Sequence, residues 1–169
     1  MNYSTIINEL GRNNQVFIGL LSGMTREEYL WKPAPEKWCL LEIACHLVDE
    51  EREDFRARVK HVLENPDLPL LLIDPQGWVK ERNYIGQDFE TVIAKFSEER
   101  NQSVSWLKSL SSPPWKNANN HPKFGLLSAE MFFANWLEHD YLHIRQIVSL
   151  KHHYLKNHSG IDLTYAGNW

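Results

Sequence analysis

The stretch ENPDLPLLLIDPQGWVKERNYIGQ, residues 64–87, separates two segments of helical periodicity, and its length decides which fold the chain can adopt. Antiparallel helices that are neighbours in a bundle need a connection of only about 2–8 residues. A connection of about two dozen residues can carry the chain back along the bundle, so that the next helix starts at the far end of the one before. The sequence therefore predicts an all-α four-helix bundle with a long crossover between helices two and three.

Four segments carry the 3.6-residue apolar period of a helix that buries one face. The predicted helices cover about residues 3–21, 38–63, 88–107 and 126–150. TREE at residues 25–28 has the form of a capping box, which predicts a short helical turn between the first two helices. No segment predicts a sheet, although LPLLLI at residues 68–73 is compatible with a short extended piece.

Length and charge exclude several classes of protein. We expect one domain over residues 1–169, since domains commonly have roughly 100–200 residues. The formal net charge is −4, and no cluster of Lys and Arg is present that could bind nucleic acid. Apolar runs are far shorter than the roughly 20 residues that span a bilayer, and the N-terminus lacks a signal pattern. We therefore expect a cytoplasmic protein with no membrane partner.

The two cysteines, Cys39 and Cys45, lie near the start of the second predicted helix. Their spacing points them in different directions around the helix axis, so a disulfide bond between them is not expected. Free cysteines are often small core residues, and we interpret both in this way.

EHDYLH, residues 138–143, places two histidines on one face of the fourth helix. His139 and His143 lie one turn apart, and His46 is the histidine of the second helix with apolar neighbours on both sides. With a rise of about 1.5 Å per residue, His46 lies about 12 Å from the start of its helix. His143 and His139 lie about 10 Å and about 16 Å from the end of theirs. If the two helices are antiparallel, all three imidazoles reach one level and predict a divalent metal site.

A single histidine on an apolar face is more often a hydrogen-bonded core residue than a ligand. Three at matched depth favour a metal, because each buried ring otherwise leaves polar nitrogens to satisfy. The other histidines have polar neighbours and are expected at the surface. They are His61, His121, His152, His153 and His158.

Three polar residues lie near the predicted ligands in the sequence. Glu42 precedes His46 by one turn and Gln146 follows His143 by one turn, so each could orient a ligand ring, and Asp49 is a weaker candidate. The alternative is that all three lie at the edge of the bundle. Two further residues are expected in the core or in a pocket wall. They are Trp38 and Trp136.

Two stretches, WKPAPEKWCLLEIACHLVDEEREDFRARV at 31–59 and WLEHDYLHIRQI at 136–147, resemble the DinB-like metal-binding four-helix bundles. This superfamily includes bacillithiol S-transferases and, more distantly, mycothiol-dependent maleylpyruvate isomerase. The predicted linker and third helix are also similar to that group, so the resemblance covers about residues 3–150.

The resemblance implies an up-down-down-up bundle with a divalent metal, zinc or nickel, on three histidines. The matching positions here are His46, His139 and His143, and all three are histidine. Arg145 departs from the family pattern, because many members have a small residue before the glutamine. This difference affects either access to the site or an oligomer surface.

Three neutral imidazoles leave a divalent ion at least one open coordination position, which is typical of a catalytic site. Such an ion lowers the pKa of its next ligand and yields a hydroxide for hydrolysis or a thiolate for transfer to an electrophile. The resemblance favours a metal-dependent transferase or detoxifying enzyme that uses a low-molecular-weight thiol. A metal-dependent hydrolase and a non-catalytic metal- or ligand-binding module remain alternatives, and no residue is assigned as catalytic.

We also expect a homodimer. The resembling family suggests one, and Trp78 and Trp115 lie in connections where aromatic surface is typical of an interface.

Overall fold

The computed structural model describes all 169 residues and is mostly helical. In chain order its elements are α1 (Tyr3–Leu21), α2 (Arg26–Leu30), α3 (Leu40–Asp49), a π-helical segment (Glu50–Phe55), α4 (Arg56–Glu64), α5 (Pro75–Glu81), a 3-10 turn (Tyr84–Gly86), α6 (Phe89–Ser109), β1 (Ala118–His121), β2 (Gly125–Ser128), α7 (Ala129–Ser159) and a 3-10 turn (Thr164–Ala166). Because α3, the π segment and α4 are continuous, they form the second helix of the bundle. None of the helices combines the length and apolar character needed to cross a membrane.

Contacts near both ends of α1 show that it runs parallel to α7. The Tyr3 hydroxyl donates a hydrogen bond to Glu130, at the start of α7. Farther along α7, the Lys151 ammonium donates to the Leu20 carbonyl, at the other end of α1. Both helices therefore run in the same direction.

The second helix and α6 run in the opposite direction. Against α7, the His46 ring lies 4.9 Å from the His143 ring, and Phe55 stacks on Trp136 at 6.1 Å. Against α1, Phe17 packs edge-on against Phe96 of α6, while Arg100 of α6 reaches the carbonyl of Leu10, earlier in α1. The topology is thus up-down-down-up, as predicted.

The crossover connects the second helix to α6, which runs parallel to it. The sequence predicts this long connection, but it does not predict that the connection is partly helical. Asp74 caps the start of α5 by accepting a hydrogen bond from the Gly77 amide. LPLLLI contains no strand. The Asn119 side chain donates hydrogen bonds to the carbonyls of Pro66 and Leu68 and so holds the start of this stretch in place.

The fourth helix differs from its predicted bounds at both ends. It begins at Ala129, because residues Gly125–Ser128 form β2 and pair antiparallel with Ala118–His121. The hairpin strands ANNH and GLLS lack the alternating β-branched pattern by which strands are recognised. The helix then continues to Ser159 and ends at Gly160, whose left-handed φ of 65° suits a C-cap glycine.

Other sequence interpretations agree with the structure. Thr25 and Glu28 form the predicted capping box. Cys39 and Cys45 are free and buried. Trp78 and Trp115 are also buried within the chain, so neither offers the exposed aromatic surface on which the dimer prediction partly rested. The dimer itself stays a prediction.

One buried cation joins all four bundle helices. Arg100 of α6 is 1 % exposed and donates two hydrogen bonds to Glu51 of the second helix, at 3.0 and 2.9 Å. It donates two more to Asp140 of α7, both at 2.7 Å, and one to the Leu10 carbonyl of α1. Asn13 of α1 also donates to Asp140. Asp140, the aspartate of EHDYLH, therefore faces the bundle interior and binds Arg100, whereas the neighbouring histidines do not bind this arginine.

Replacement of Arg100 by Met should be strongly destabilising. Two buried carboxylates, Glu51 and Asp140, would lose their partner, and breaking a buried ion pair typically costs about 3–5 kcal/mol. Arg12→Met is the matched control, because Arg12 is 74 % exposed and pairs with Glu9 at the surface. Its cost should stay within about 0.5 kcal/mol. Urea unfolding of the variants gives both values, and equal costs would contradict the role assigned to Arg100.

Candidate metal centre

Three histidines converge between α3 and α7. The Nε2 atom of His139 lies 3.3 Å from Nε2 of His46 and 3.0 Å from Nε2 of His143. One nitrogen from each ring lies within 4.8 Å of the other two. A tetrahedral ion with bonds of 2.0–2.1 Å holds its ligands about 3.3 Å apart. The cluster therefore has the dimensions of a metal site, and its three imidazoles are ligands suited to zinc or nickel.

The three rings are uncharged at neutral pH, as metal ligation requires. Burial, together with the nearby His143, lowers the pKa of His46 to about 3. Burial also lowers the pKa of His139 to about 2, and the other two histidines and Arg100 add to this effect. The pKa of His143 is lowered by burial as well. Each ring therefore keeps a lone pair that an ion can use.

Gln146 sets the tautomer of one ligand. Its Oε1 atom lies 2.8 Å from Nδ1 of His143, and because a carbonyl oxygen can only accept, Nδ1 must carry the proton. The lone pair of His143 is then on Nε2, which faces His139. Of the three polar residues that the sequence suggests as ring-orienting partners, Gln146 is the one that the structure places against a ligand.

The other two partners contact different groups. Glu42 accepts a hydrogen bond from the Cys39 amide at 2.9 Å, because a carboxylate at this position of a helix satisfies the free amides of the first turn. Asp49 accepts from the Tyr84 hydroxyl at 2.6 Å and faces the crossover. Neither residue is hydrogen-bonded to His46.

The two tryptophans have separate places. The Trp38 ring lies 4.9 Å from the His46 ring, beside the cluster. Trp136 is 1 % exposed and belongs to the core, where its indole donates to Glu51 at 2.8 Å. Trp136 is thus core, and Trp38 is the tryptophan that flanks the site.

Glu50 is a further buried group beside the triad that was not predicted from the sequence. Its Oε1 atom lies 3.9 Å from Nδ1 of His46, and both atoms are buried without a hydrogen-bond partner. Burial raises the pKa of Glu50 to about 8, and the neighbouring Asp54 adds to the rise. The acidic run EEREDF, residues 50–55, is typical of an exposed face and gives no sign that its first two acids are buried.

The π segment explains this burial. A π turn contains an extra residue compared with an α turn and is often found at functional sites. Here it brings Glu50 and Glu51 inward together, with Glu50 beside His46 and Glu51 on Arg100. The wider turn therefore places one of two adjacent residues beside the histidine triad and the other in the buried ion pair.

Comparison with known proteins agrees with this description. A family model described as the DinB superfamily matches residues 9–147. Among solved structures, the chain is similar to YfiT from Bacillus subtilis, which is described as a probable metal-dependent hydrolase with an unusual four-helix bundle topology. The two are 18 % identical, the match covers 89 % of this chain and 86 % of that chain, and the TM-score is 0.78. No curated protein matches the sequence significantly.

The triad should bind one divalent ion per chain. His46→Ala removes one of three ligands and should abolish stoichiometric metal after dialysis, whereas His61→Ala, on the same bundle helix but outside the cluster, should keep it. Elemental analysis measures both. A full equivalent of metal in His46→Ala would show that a different group completes the site.

The metal-free protein should lose stability as pH falls below about 6.5. An unfolded histidine takes up a proton there, whereas folded His139 stays neutral down to a pKa of about 2. Between these two pH values the unfolded state binds more protons than the folded state. The free energy of unfolding therefore decreases as the pH is lowered, by up to about 1.4 kcal/mol per pH unit for each such group. Glu50, whose pKa is raised, acts in the opposite sense.

A comparison with His139→Gln isolates this effect, since Glu50 is present in both proteins. Urea unfolding with a chelator between about pH 6.5 and pH 4 should give a shallower slope for the variant. Identical slopes would show that His139 does not resist protonation in the folded chain.

Proposed function

The chain belongs to the DinB superfamily, and from this premise we propose that it is a metal-dependent enzyme that transfers a low-molecular-weight thiol to an electrophile. The observation that carries the proposal is the convergence of three neutral imidazoles with no fourth side chain in the group. A divalent ion there, zinc or nickel, would keep an open position and would lower the pKa of a thiol bound to it.

The protein's own thiols do not suit this chemistry. Burial raises the pKa of Cys39 to about 11 and that of Cys45 to about 12. Both side chains therefore remain protonated at neutral pH, whereas the thiolate is the reactive form. This supports a thiol that enters from solution.

The residues around the triad would hold the ligand rings. Gln146 keeps the His143 lone pair on Nε2 through the hydrogen bond to Nδ1. His46 lacks such a partner, and Oε1 of Glu50, whose raised pKa leaves the side chain protonated at neutral pH, is 3.9 Å from its Nδ1 atom. A small rotation of either side chain that lets this oxygen accept a hydrogen bond from Nδ1–H would fix His46 in the same tautomer. We assign Glu50 this positioning role.

A metal-dependent hydrolase is the second candidate. It is favoured by the similarity to YfiT, which is described as a probable metal-dependent hydrolase. The same open position would accept water in place of a thiol. A binding module without catalysis would use the same ligands.

Thiol-dependent turnover of an electrophile is the expected result. Zinc- and nickel-loaded protein should accelerate the reaction of monochlorobimane with L-cysteine, and the acceleration should be lost in His139→Ala and after chelation. Cys39→Ser should keep most of the activity, because the Cys39 thiol is buried and protonated. Cys39 is also the N-cap residue of α3, a position that serine fills well.

Two further outcomes separate the alternatives. Hydrolysis of p-nitrophenyl acetate that needs metal but no thiol would replace the transferase proposal by the hydrolase. Stoichiometric metal without either activity would leave the binding module. Thiol transfer that survives verified removal of the metal would contradict the proposed metal-dependent transferase.

A further inference from the structure

A groove of about 820 Å³ lies beside the metal centre, between the segment that precedes α3 and the second half of α7. Its lining includes two residues that contact the triad. Trp38 lies against the His46 ring, and Gln146 is hydrogen-bonded to His143. A small molecule in this groove would therefore contact two residues that touch the histidine rings.

The charged side chains that line the groove all have one sign. Lys37 and Arg145 are its charged side chains, and no Asp or Glu side chain lines it. Neither Lys37 nor Arg145 forms an ion pair within the chain. The net charge of the whole chain is −4, so this local positive surface is opposite in sign to the average.

The arginines of the neighbouring second helix behave differently. Arg52 pairs with Glu53, Arg56 with Glu99 and Arg58 with Asp54. These three guanidinium groups form ion pairs within the chain, whereas Arg145 of α7 has no carboxylate partner. A guanidinium offers a planar fork of donors that matches a carboxylate.

We propose that this groove binds a carboxylate of the substrate through Arg145 and Lys37, and that its apolar lining, including Trp38 and Leu142, contacts the carbon skeleton. The inference rests on the proposed function. It specifies further that the small thiol is an anion that carries a carboxylate. A thiol with at least one carboxylate would place its sulfur toward the triad and its carboxylate toward Arg145, and would so use both parts of the site.

Calorimetric titration of the zinc-loaded full chain tests this proposal. Mercaptosuccinate, a thiol with two carboxylates, should bind at least about tenfold tighter than the uncharged monothioglycerol, since a charge-assisted hydrogen bond contributes about this factor. Arg145→Gln should weaken mercaptosuccinate about tenfold and leave monothioglycerol unchanged, and Arg145→Lys should restore part of the loss. Added salt should weaken mercaptosuccinate alone.

The control is Arg26→Gln, an exposed arginine of α2 that does not line the groove, and it should bind both thiols as the unaltered protein does. Metal content and urea unfolding of Arg145→Gln should also be unchanged, because Arg145 is exposed and lies outside the triad. Equal affinity for the two thiols, or an Arg145→Gln variant that binds mercaptosuccinate normally, would overturn the proposal.

A titration of metal-free protein with succinate separates this inference from the proposed function. Succinate binding that depends on Arg145 would support the groove even if neither thiol binds the zinc-loaded protein, an outcome that would defeat the transferase proposal. Conversely, two thiols that bind the loaded protein equally, with no effect of Arg145, would leave the transferase proposal intact and refute the carboxylate site.

Discussion

The ion pairs of Arg100 are the interaction on which the bundle depends, because they are the point where all four helices meet. The guanidinium holds Glu51 of the second helix and Asp140 of α7, and it reaches the backbone of α1 at Leu10. Buried ion pairs contribute little net stability compared with apolar packing, but a broken one is costly. Arrangements that separate Arg100 from its two carboxylates are therefore strongly disfavoured, and the helices are held in one rotation and register.

That constraint also orients the metal centre. Asp140 lies between the two histidines of α7 in sequence, and its attachment to Arg100 fixes the rotation of α7 about its axis. His139 and His143 then face the second helix, where His46 meets them. The π segment completes the arrangement from the other side, since it allows Glu51 to reach Arg100 while Glu50 stays beside His46. The scaffold and the site thus share residues that are adjacent in sequence.

The charges around the site differ by position. The three histidine rings are neutral. The buried ion pair consists of Arg100 with Glu51 and Asp140. The groove beside the rings carries Lys37 and Arg145. A divalent ion in the triad would add its positive charge to that of the groove. Under the proposed function, both charges would attract an anionic molecule.

Local spacing was sufficient for the sequence to predict the bundle and the triad. Helical periods, the length of residues 64–87 and the rise of about 1.5 Å per residue place His46 level with His139 and His143 once the helices are antiparallel. The same reasoning failed where a side chain chooses among partners that are distant in sequence. Glu42 was one turn from His46, yet it accepts a hydrogen bond from the Cys39 amide at the start of its own helix and pairs with Lys32.

Only the tertiary structure decided which acids belong to the site and which to the scaffold. Arg100 and Glu51 are 49 positions apart, and Arg100 and Asp140 are 40 apart, so no local pattern joins them. Spacing along a helix determines the direction in which a side chain points, but a carboxylate is bound by whichever donor the packed helices bring to it.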